Sequence, residues 1–337
     1  MPRLQSFLLK LLFAISLLAL IGTLLSLLAA GVWWLQILDF LRFQFVAMQL
    51  LVLAGLGLLL WWGRRQRQAL RRWVLATALL GLAVQLYFLL PYAPLAPYAV
   101  PNATAAEAAD TSARLRLYEL NVYQKNRRAD LVLAQVRAQR PDVVLLLETN
   151  QWWADALRPL RQQYPYYIEL PRENTYGMVL YSRLPLLNPE HRNLQQPHVP
   201  AIITGLRLPS GRAVRFFGVH PTPPVPDNHP SSVGVRDVAL LKVGQLVQQE
   251  SGPALVLGDF NDVSWSFTTR MFEAGGRLHN VRLGRGLFNT FNATIFPLRW
   301  PLDHLFVTRE FRLIKLQRLP GVGSDHFPLL AEVVLSE

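Results

Sequence analysis

There is no cysteine anywhere in the 337 residues. Disulfides, zinc–thiolate sites and a cysteine nucleophile are therefore excluded. Acidic residues are nearly missing from the first 100 positions, where Asp39 stands alone against eight Lys and Arg. Charge of either sign is absent from three long runs, Leu11–Ala30, Phe43–Trp62 and Trp73–Leu90. Internal repeats and low-complexity segments are also absent. Hydrophobic residues make up 51% of the chain, and the excess sits in those three runs.

Each uncharged run is long enough to cross a hydrocarbon core of about 30 Å as a helix. Trp33, Trp34, Trp61, Trp62 and Trp73 lie near their ends, where amphipathic rings favour the membrane interface. Two more apolar runs follow the first, which favours a retained span over a cleaved signal peptide. Between the second and third runs lie Arg64, Arg65, Arg67, Arg71 and Arg72, whereas no Lys or Arg follows the third until Arg114. The excess of positive charge on the cytoplasmic side then puts residues 63–72 and the N-terminus inside. The C-terminal region is expected outside the cytoplasm, which is the periplasm in a cell with an outer membrane. Residues 91–113 carry Pro91, Pro94, Pro97 and Pro101 and an Ala-rich stretch, and read as a stiff linker between the anchor (1–90) and a globular domain (114–337). The net charge of +12 falls mostly on the anchor. The domain is only mildly basic, which suits an anionic substrate as well as an ordinary solvated surface.

Along the domain, apolar strand-like runs alternate with helical spacing. Arg114–Val122, Asp142–Leu147, Tyr166–Leu170, Met178–Tyr181, Ile202–Leu208, Ala213–Val219, Ala254–Leu257, Leu305–Val307 and Phe327–Val334 read as strands. Asp130–Arg140, Trp152–Gln163, Val235–Gln249 and Ser266–Ala274 read as helices. Strands adjacent in sequence rule out a purely parallel, doubly wound sheet. Two mostly antiparallel sheets packed face to face, with helices outside, are expected instead.

Several strands end in polar clusters. Leu255-Val256-Leu257 runs into Gly258-Asp259-Phe260-Asn261. Asn121, Glu148 and His220 each follow an apolar run, and Asp303-His304 and Ser324-Asp325-His326 each precede one. A strand-end acid is usually a turn former or helix cap, so any one cluster is weak. Together they offer carboxylates for a hard divalent cation, an acid to ready a water, and a histidine to donate a proton or hydrogen bond.

The ordered set Leu120-Asn121, Leu147-Glu148, Gly258-Asp259-Phe260-Asn261, Leu302-Asp303-His304 and Gly323-Ser324-Asp325-His326-Phe327-Pro328 resembles the endonuclease/exonuclease/phosphatase superfamily, over about Arg114 to Val334. The resemblance implies a four-layer α/β sandwich, here preceded by three transmembrane helices. It implies a metal-dependent phosphoesterase using magnesium or manganese. By position, Glu148 and Asp325 match the metal-site acids, and Asn121 the asparagine that helps hold metal and phosphate. Asp259 matches the water-activating acid and Asn261 its phosphate-binding neighbour. His326 matches the phosphate-contacting histidine, Asp303 the acid that orients it, and His220 a second phosphate-contacting or proton-donating group. Two departures stand out: Leu147 occupies a position where glutamine is frequent, and the Pro221–Pro230 loop is unusual. The implied substrates are phosphoesters, with nucleic acid ahead of a phospholipid headgroup. The contrasting expectation is an inactive, ligand-binding or regulatory membrane protein, which loss of these residues would signal; none of the matched positions is lost.

Overall fold

The structure, a computed structural model, describes residues 2–28, 32–62, 67–194, 197–223 and 235–336. The chain divides into two compact units, Met1–Pro91 and Tyr92–Glu337. Of the sequence features above, Ala29 and Ala30 of the first run, Arg64 and Arg65, and residues 224–230 of the proline-rich loop lie outside the described residues.

The first unit contains α1 (Pro2–Leu25), α2 (Trp33–Phe40), α3 (Arg42–Trp62) and α4 (Gln68–Leu89). Three of them, over Arg3–Leu25, Arg42–Trp61 and Gln68–Tyr92, are long and apolar enough to cross a membrane. The first begins well before Leu11, because an isolated Arg3 and Lys10 do not interrupt helical geometry. Polar side chains gather inside this unit. Ser16 Oγ donates to Gln49 Oε1 at 2.9 Å and lies 2.8 Å from Thr77 Oγ1. Gln85 Nε2 donates to Thr23 Oγ1 at 2.8 Å. Asp39 and Arg42, the charges of the first connecting segment, pair with each other and are buried. In an apolar surround, such groups are tolerated only when they satisfy one another.

The second unit is a four-layer α/β sandwich. It comprises α5 (Ala105–Ala109), β1 (Arg114–Asn121), α6 (Ala129–Gln139), β2 (Val143–Leu147), α7 (Gln151–Leu157), β3 (Tyr166–Leu170), β4 (Met178–Ser182), β5 (Leu186–Asn193), β6 (Pro200–Arg207) and β7 (Ala213–Val219). After these come α8 (Val235–Gln249), β8 (Ala254–Asp259), α9 (Phe267–Gly275), β9 (His279–Asn280), β10 (Asp303–Val307), β11 (Phe311–Arg318) and β12 (Leu329–Leu335). One sheet has the order β11-β12-β1-β2-β4-β3, the other β5-β6-β7-β8-β10-β9. Each holds one parallel pair, β1 with β2 and β7 with β8, among antiparallel neighbours. The inner faces meet through Leu117, Leu145 and Leu180 from one sheet and Phe216, Leu257 and Leu305 from the other. The outer faces are covered by α6 and α7 on one side and by α8 and α9 on the other. Strands such as Val143–Leu147 are buried on both faces, which is why they read as unbroken apolar runs.

Three local differences from the sequence reading have physical causes. The helix expected over Trp152–Gln163 stops at Leu157 and tightens into a 3-10 segment over Arg158–Gln162, where Pro159 cannot donate. Strands β5 and β11 went unread because their exposed faces are polar. Residues 92–113, expected as a spacer, belong to the second unit. Tyr92 is buried against Trp265, and Val100 enters the core between the sheets. Ala103 N donates to Leu313 O and Leu313 N to Pro101 O, each at 2.9 Å. This segment therefore covers the open edge of β11, an edge that would otherwise invite pairing with another chain.

Candidate active site

Strand direction brings the polar clusters together. β1 and β2 run parallel, so Asn121 and Glu148 leave the sheet at the same end. β7 and β8 do likewise, delivering His220 and Asp259. β10 and β12 run antiparallel to β8 and β1, so their beginnings lie at that end too. Asp303 opens β10, and Asp325 and His326 sit just before β12. All the site residues expected from the sequence thus converge on one end of the sandwich.

The backbone is contorted where they leave. Gly258 has φ +148°, and a Cβ there would stand 2.0 Å from Val219 O, so only glycine lets β8 lie this close to β7. Glu148 and Asn261 both adopt left-handed φ, +59° and +51°, a cost concentrated at functional sites. Asp259 and Asn261 do not share a face of a continuing strand, because β8 ends at Asp259. Asn261 instead turns back, its backbone N donating to Asp259 Oδ1 at 2.8 Å and its Nδ2 to Pro221 O at 2.9 Å.

Asp303 and Asp259 are direct cross-strand partners, an arrangement that like charges disfavour. His326 bridges them. Its Nδ1 donates to Asp303 Oδ2 at 2.8 Å, and its Nε2 stands 3.6 Å from Asp259 Oδ2. All three side chains are buried. Burial opposes a charged imidazole, but Asp303 and Asp259 outweigh it and push His326 up to about 10. Burial would likewise raise Asp303, yet the His326 charge and hydrogen bond hold it down at about 2. Asp259 is raised, chiefly by burial, with His326 opposing. Asn121 Nδ2 donates to both Asp259 Oδ2, at 3.1 Å, and Glu148 Oε1, at 3.0 Å, tying the two sheets together across the site. His220 Nε2 lies 3.8 Å from Asp259 Oδ2. Burial lowers its pKa despite that neighbour.

Two groups of acids could be considered for a cation. Asp259, Asp303 and His326 present ligand atoms within 4.8 Å of one another. A histidine ligand must be neutral, and these acids hold the proton on His326, so this trio suits proton chemistry. Glu148 and Asp325 are half-buried oxygen donors close enough for Asp325 to raise the Glu148 pKa, after the larger effect of burial. Glu148 is oriented by Asn121 and by Gln124 N, which donates to Oε2 at 3.1 Å. A preoriented, partly accessible pair of carboxylates fits a hard divalent cation.

Other residues escaped the sequence reading. Thr290 Oγ1 accepts from Leu302 N and Asp303 N, at 3.3 and 3.2 Å. Ser324 Oγ donates to Asn121 O at 2.7 Å and accepts from His326 N at 3.0 Å. His304, beside Asp303, points the other way. Arg282 Nη1 donates to its Nδ1 at 3.0 Å, and its Nε2 donates to Asp262 O at 2.9 Å, as burial and Arg282 lower its pKa to about 3. Glu119 is fully buried, and neither of its oxygens, nor Asp303 Oδ1, has a donor while both acids are ionised. The two carboxyls meet inside the sandwich. Burial first, and then Asp303 and Asp259, drive the Glu119 pKa well upward. A proton on Glu119 donated to Asp303 gives Asp303 a donor and removes one buried charge. The sequence signal was a lone acid inside the apolar run of β1.

Glu119→Gln keeps a donor toward Asp303 and is expected to melt within a few degrees of the wild type. Glu119→Leu strands a buried acceptor and is expected to cost about 1–3 kcal/mol by denaturant titration; equal stability of the two variants would refute the shared proton. For His326, the folded-state pKa lies above the ordinary 6.5. Its stabilisation is therefore complete below that value and lost as pH rises toward about 10. The melting-temperature advantage of the wild type over His326→Gln should shrink across this window, and an advantage that widens there would contradict the bridging cation.

The endonuclease/exonuclease/phosphatase family model matches residues 119–326, a stretch that includes every one of these polar clusters. Among solved structures, D. rerio TDP2 complexed with a single-strand DNA product shares 16% identity at a TM-score of 0.55, covering 65% of this chain and 98% of its own. The human Nocturnin catalytic domain with bound sulfate shares 19% at 0.54, covering 68% and 97%. A mannosyl-6-phosphatase from Bacteroides thetaiotaomicron shares 19% at 0.51, covering 66% and 100%. At these identities the likeness is one of fold. The sandwich, the strand-end cluster and the matched stretch agree, and the chain belongs to the endonuclease/exonuclease/phosphatase family.

Proposed function

We propose that the protein is a membrane-anchored, magnesium- or manganese-dependent phosphoesterase that hydrolyses a phosphodiester of the nuclease type. The observation that carries this reading is the Asp303–His326–Asp259 array at one sandwich end, with Asn121 linking Asp259 to Glu148. Asp259, made more basic by burial, orients and deprotonates a water for in-line attack on phosphorus. His326 is fixed by Asp303 and turns Nε2–H toward the phosphoryl oxygens, where negative charge develops. Asn121 and Asn261 hold the phosphate, and His220 supplies a second contact or a proton to the leaving oxygen. Glu148 and Asp325 would hold the divalent ion, which when bound supplies polarisation of a phosphoryl oxygen and neutralisation of transition-state charge.

Family membership supports phosphoester hydrolysis. The single-strand DNA product bound to one structural neighbour supports a phosphodiester, and the phosphatase among the neighbours keeps a monoester in view. A phospholipid headgroup is the second reading, favoured by three helices long and apolar enough to cross a membrane in the same chain. Magnesium-dependent release from DNA, RNA, bis-p-nitrophenyl phosphate and phospholipid vesicles separates these substrates. Chelation should abolish turnover, magnesium or manganese should restore it, and Asp259→Ala should lower kcat about 10²–10⁴-fold. Absence of turnover on the whole panel with either metal would overturn the enzymatic reading.

The anchor is read as three spans, with the N-terminus and residues 63–72 in the cytoplasm and the catalytic unit outside, in the inner membrane of a cell that has two. The arginine distribution supports this orientation. Alkaline phosphatase fused to the C-terminus is expected to be active and a cytoplasmic reporter silent at the same point; the opposite pattern would reverse the topology.

A further inference from the structure

The mouth of the site has an apolar lip. The segment between β9 and β10 folds back on itself over Thr290–Trp300, with Thr290 N donating to Trp300 O at 3.0 Å and Asn292 N to Leu298 O at 3.2 Å. Its base is fastened to the site. The Phe291 ring lies 4.9 Å from that of His326, and Ala293 N donates to Asp325 O at 2.6 Å. Its tip points into solvent. Ile295 is 50% exposed, Phe296 78% and Leu298 40%. Nothing in the fold requires three large apolar side chains there, and a cluster of this kind marks a contact surface.

Two guanidiniums flank the tip. Arg299 lies 5.2 Å from the centre of the Phe296 ring and 5.0 Å from that of Phe327, while Arg318 lies 4.5 Å from Phe327. Each donates to a backbone carbonyl, Arg299 Nε to Asn292 O and Arg318 Nη1 to Asn289 O. Among the described residues, neither forms an ion pair with an acid, and the charge of Arg299 bears on Arg318. Such a pair of like charges, stacked on aromatic faces, is ready for an anion. A nucleic acid would use the arginines but leave Ile295 and Leu298 in water. Aliphatic and aromatic groups flanked by arginine match a lipid surface, whose acyl boundary takes the tip while its phosphates take the charge.

We propose that the Ile295–Leu298 tip, with Arg299 and Arg318, is a contact for an anionic lipid surface that sets the mouth of the active site at headgroup level. It rests on the reading that the N-terminal helices span a bilayer, which keeps the catalytic unit within reach of that surface.

The lack of cysteine permits a direct test in the full chain. Ile295→Cys and Ser210→Cys are each labelled with an environment-sensitive fluorophore and reconstituted in vesicles of equal parts phosphatidylcholine and phosphatidylglycerol. Ser210 is exposed in the β6–β7 turn, at the end of β7 opposite His220, and serves as the control. Nitroxide-bearing lipids are expected to quench the label at 295 at least about twofold more than that at 210, and the difference should fall in phosphatidylcholine alone. Equal quenching at the two positions would overturn the proposal. So would shielding of position 295 from aqueous iodide without lipid quenching, which would assign the tip to a protein partner. Turnover is not read, so loss of the hydrolase reading leaves this result intact. A chain that fails to float with the vesicles overturns the spanning reading and the contact together.

Discussion

The site depends on one unfavourable arrangement made favourable: two aspartates set directly opposite each other on neighbouring strands, Asp259 on β8 and Asp303 on β10. In a buried sheet this pairing repels, and His326 is what permits it. The imidazole arrives from a different sheet, just before β12, hydrogen-bonded to one acid and facing the other. Removal of the cation would leave buried like charges, so the histidine holds the two sheets together at this end. Ser324 reinforces the same join, linking the backbone of β1 to that of His326.

The acid pair is supported from beneath and behind. Glu119 fills the interior under Asp303 and, when protonated, adds a donor where another carboxylate would add repulsion. On the opposite face of β10, Arg282 donates to the backbone carbonyl of Asp303 and to His304, whose Nε2 donates to Asp262 O. Alternation along the strand puts the side chains of Asp303 and His304 on opposite faces. Asp303 points inward to the site, and His304 points outward to Arg282 and the aromatic rings of Phe260 and Phe306. The histidine adjacent to the site in sequence is therefore not part of it, and burial beside an arginine keeps it neutral.

What the sequence revealed and what it hid follow the same physics. Asn121, Glu148, His220, Asp259, Asp303 and His326 were legible because each interrupts or borders an apolar run, and a buried strand that reaches a polar group marks its own end. Two packed sheets with helices outside followed from strands adjacent in sequence and mixed with helices, and the family resemblance implied the four layers. Glu119 was hidden because a single acid in an apolar run does not announce its partner, and its partner lies 184 positions away. Strands β5 and β11 were hidden by polar exposed faces, and the role of residues 101–103 in covering β11 by their proline content, which reads as a spacer. The left-handed turn at Asn261 has no local signature, since asparagine adopts either conformation at little cost.

Charge around the mouth is unbalanced in a way that bears on the chemistry. Glu148, Asp259, Asp303 and Asp325 supply negative charge, while Glu119 is held neutral and burial disfavours a second charged histidine at His220. His326 is the one cation in direct contact with the acids among the described side chains of this cluster, and it is committed to Asp259 and Asp303. Burial raises the Glu148 pKa; the hydrogen bonds from Asn121 and Gln124 N and the charge of His326 oppose it, and Asp325 adds a smaller rise. A proton would neutralise Glu148 but would also remove its use as a ligand. On the proposed reading, a divalent cation would offset that burial while leaving both carboxylates ionised, and its excess charge would attract a phosphate. The excess of carboxylates over cations at this end of the sandwich is the physical basis for proposing a divalent cation and an anionic phosphoester there.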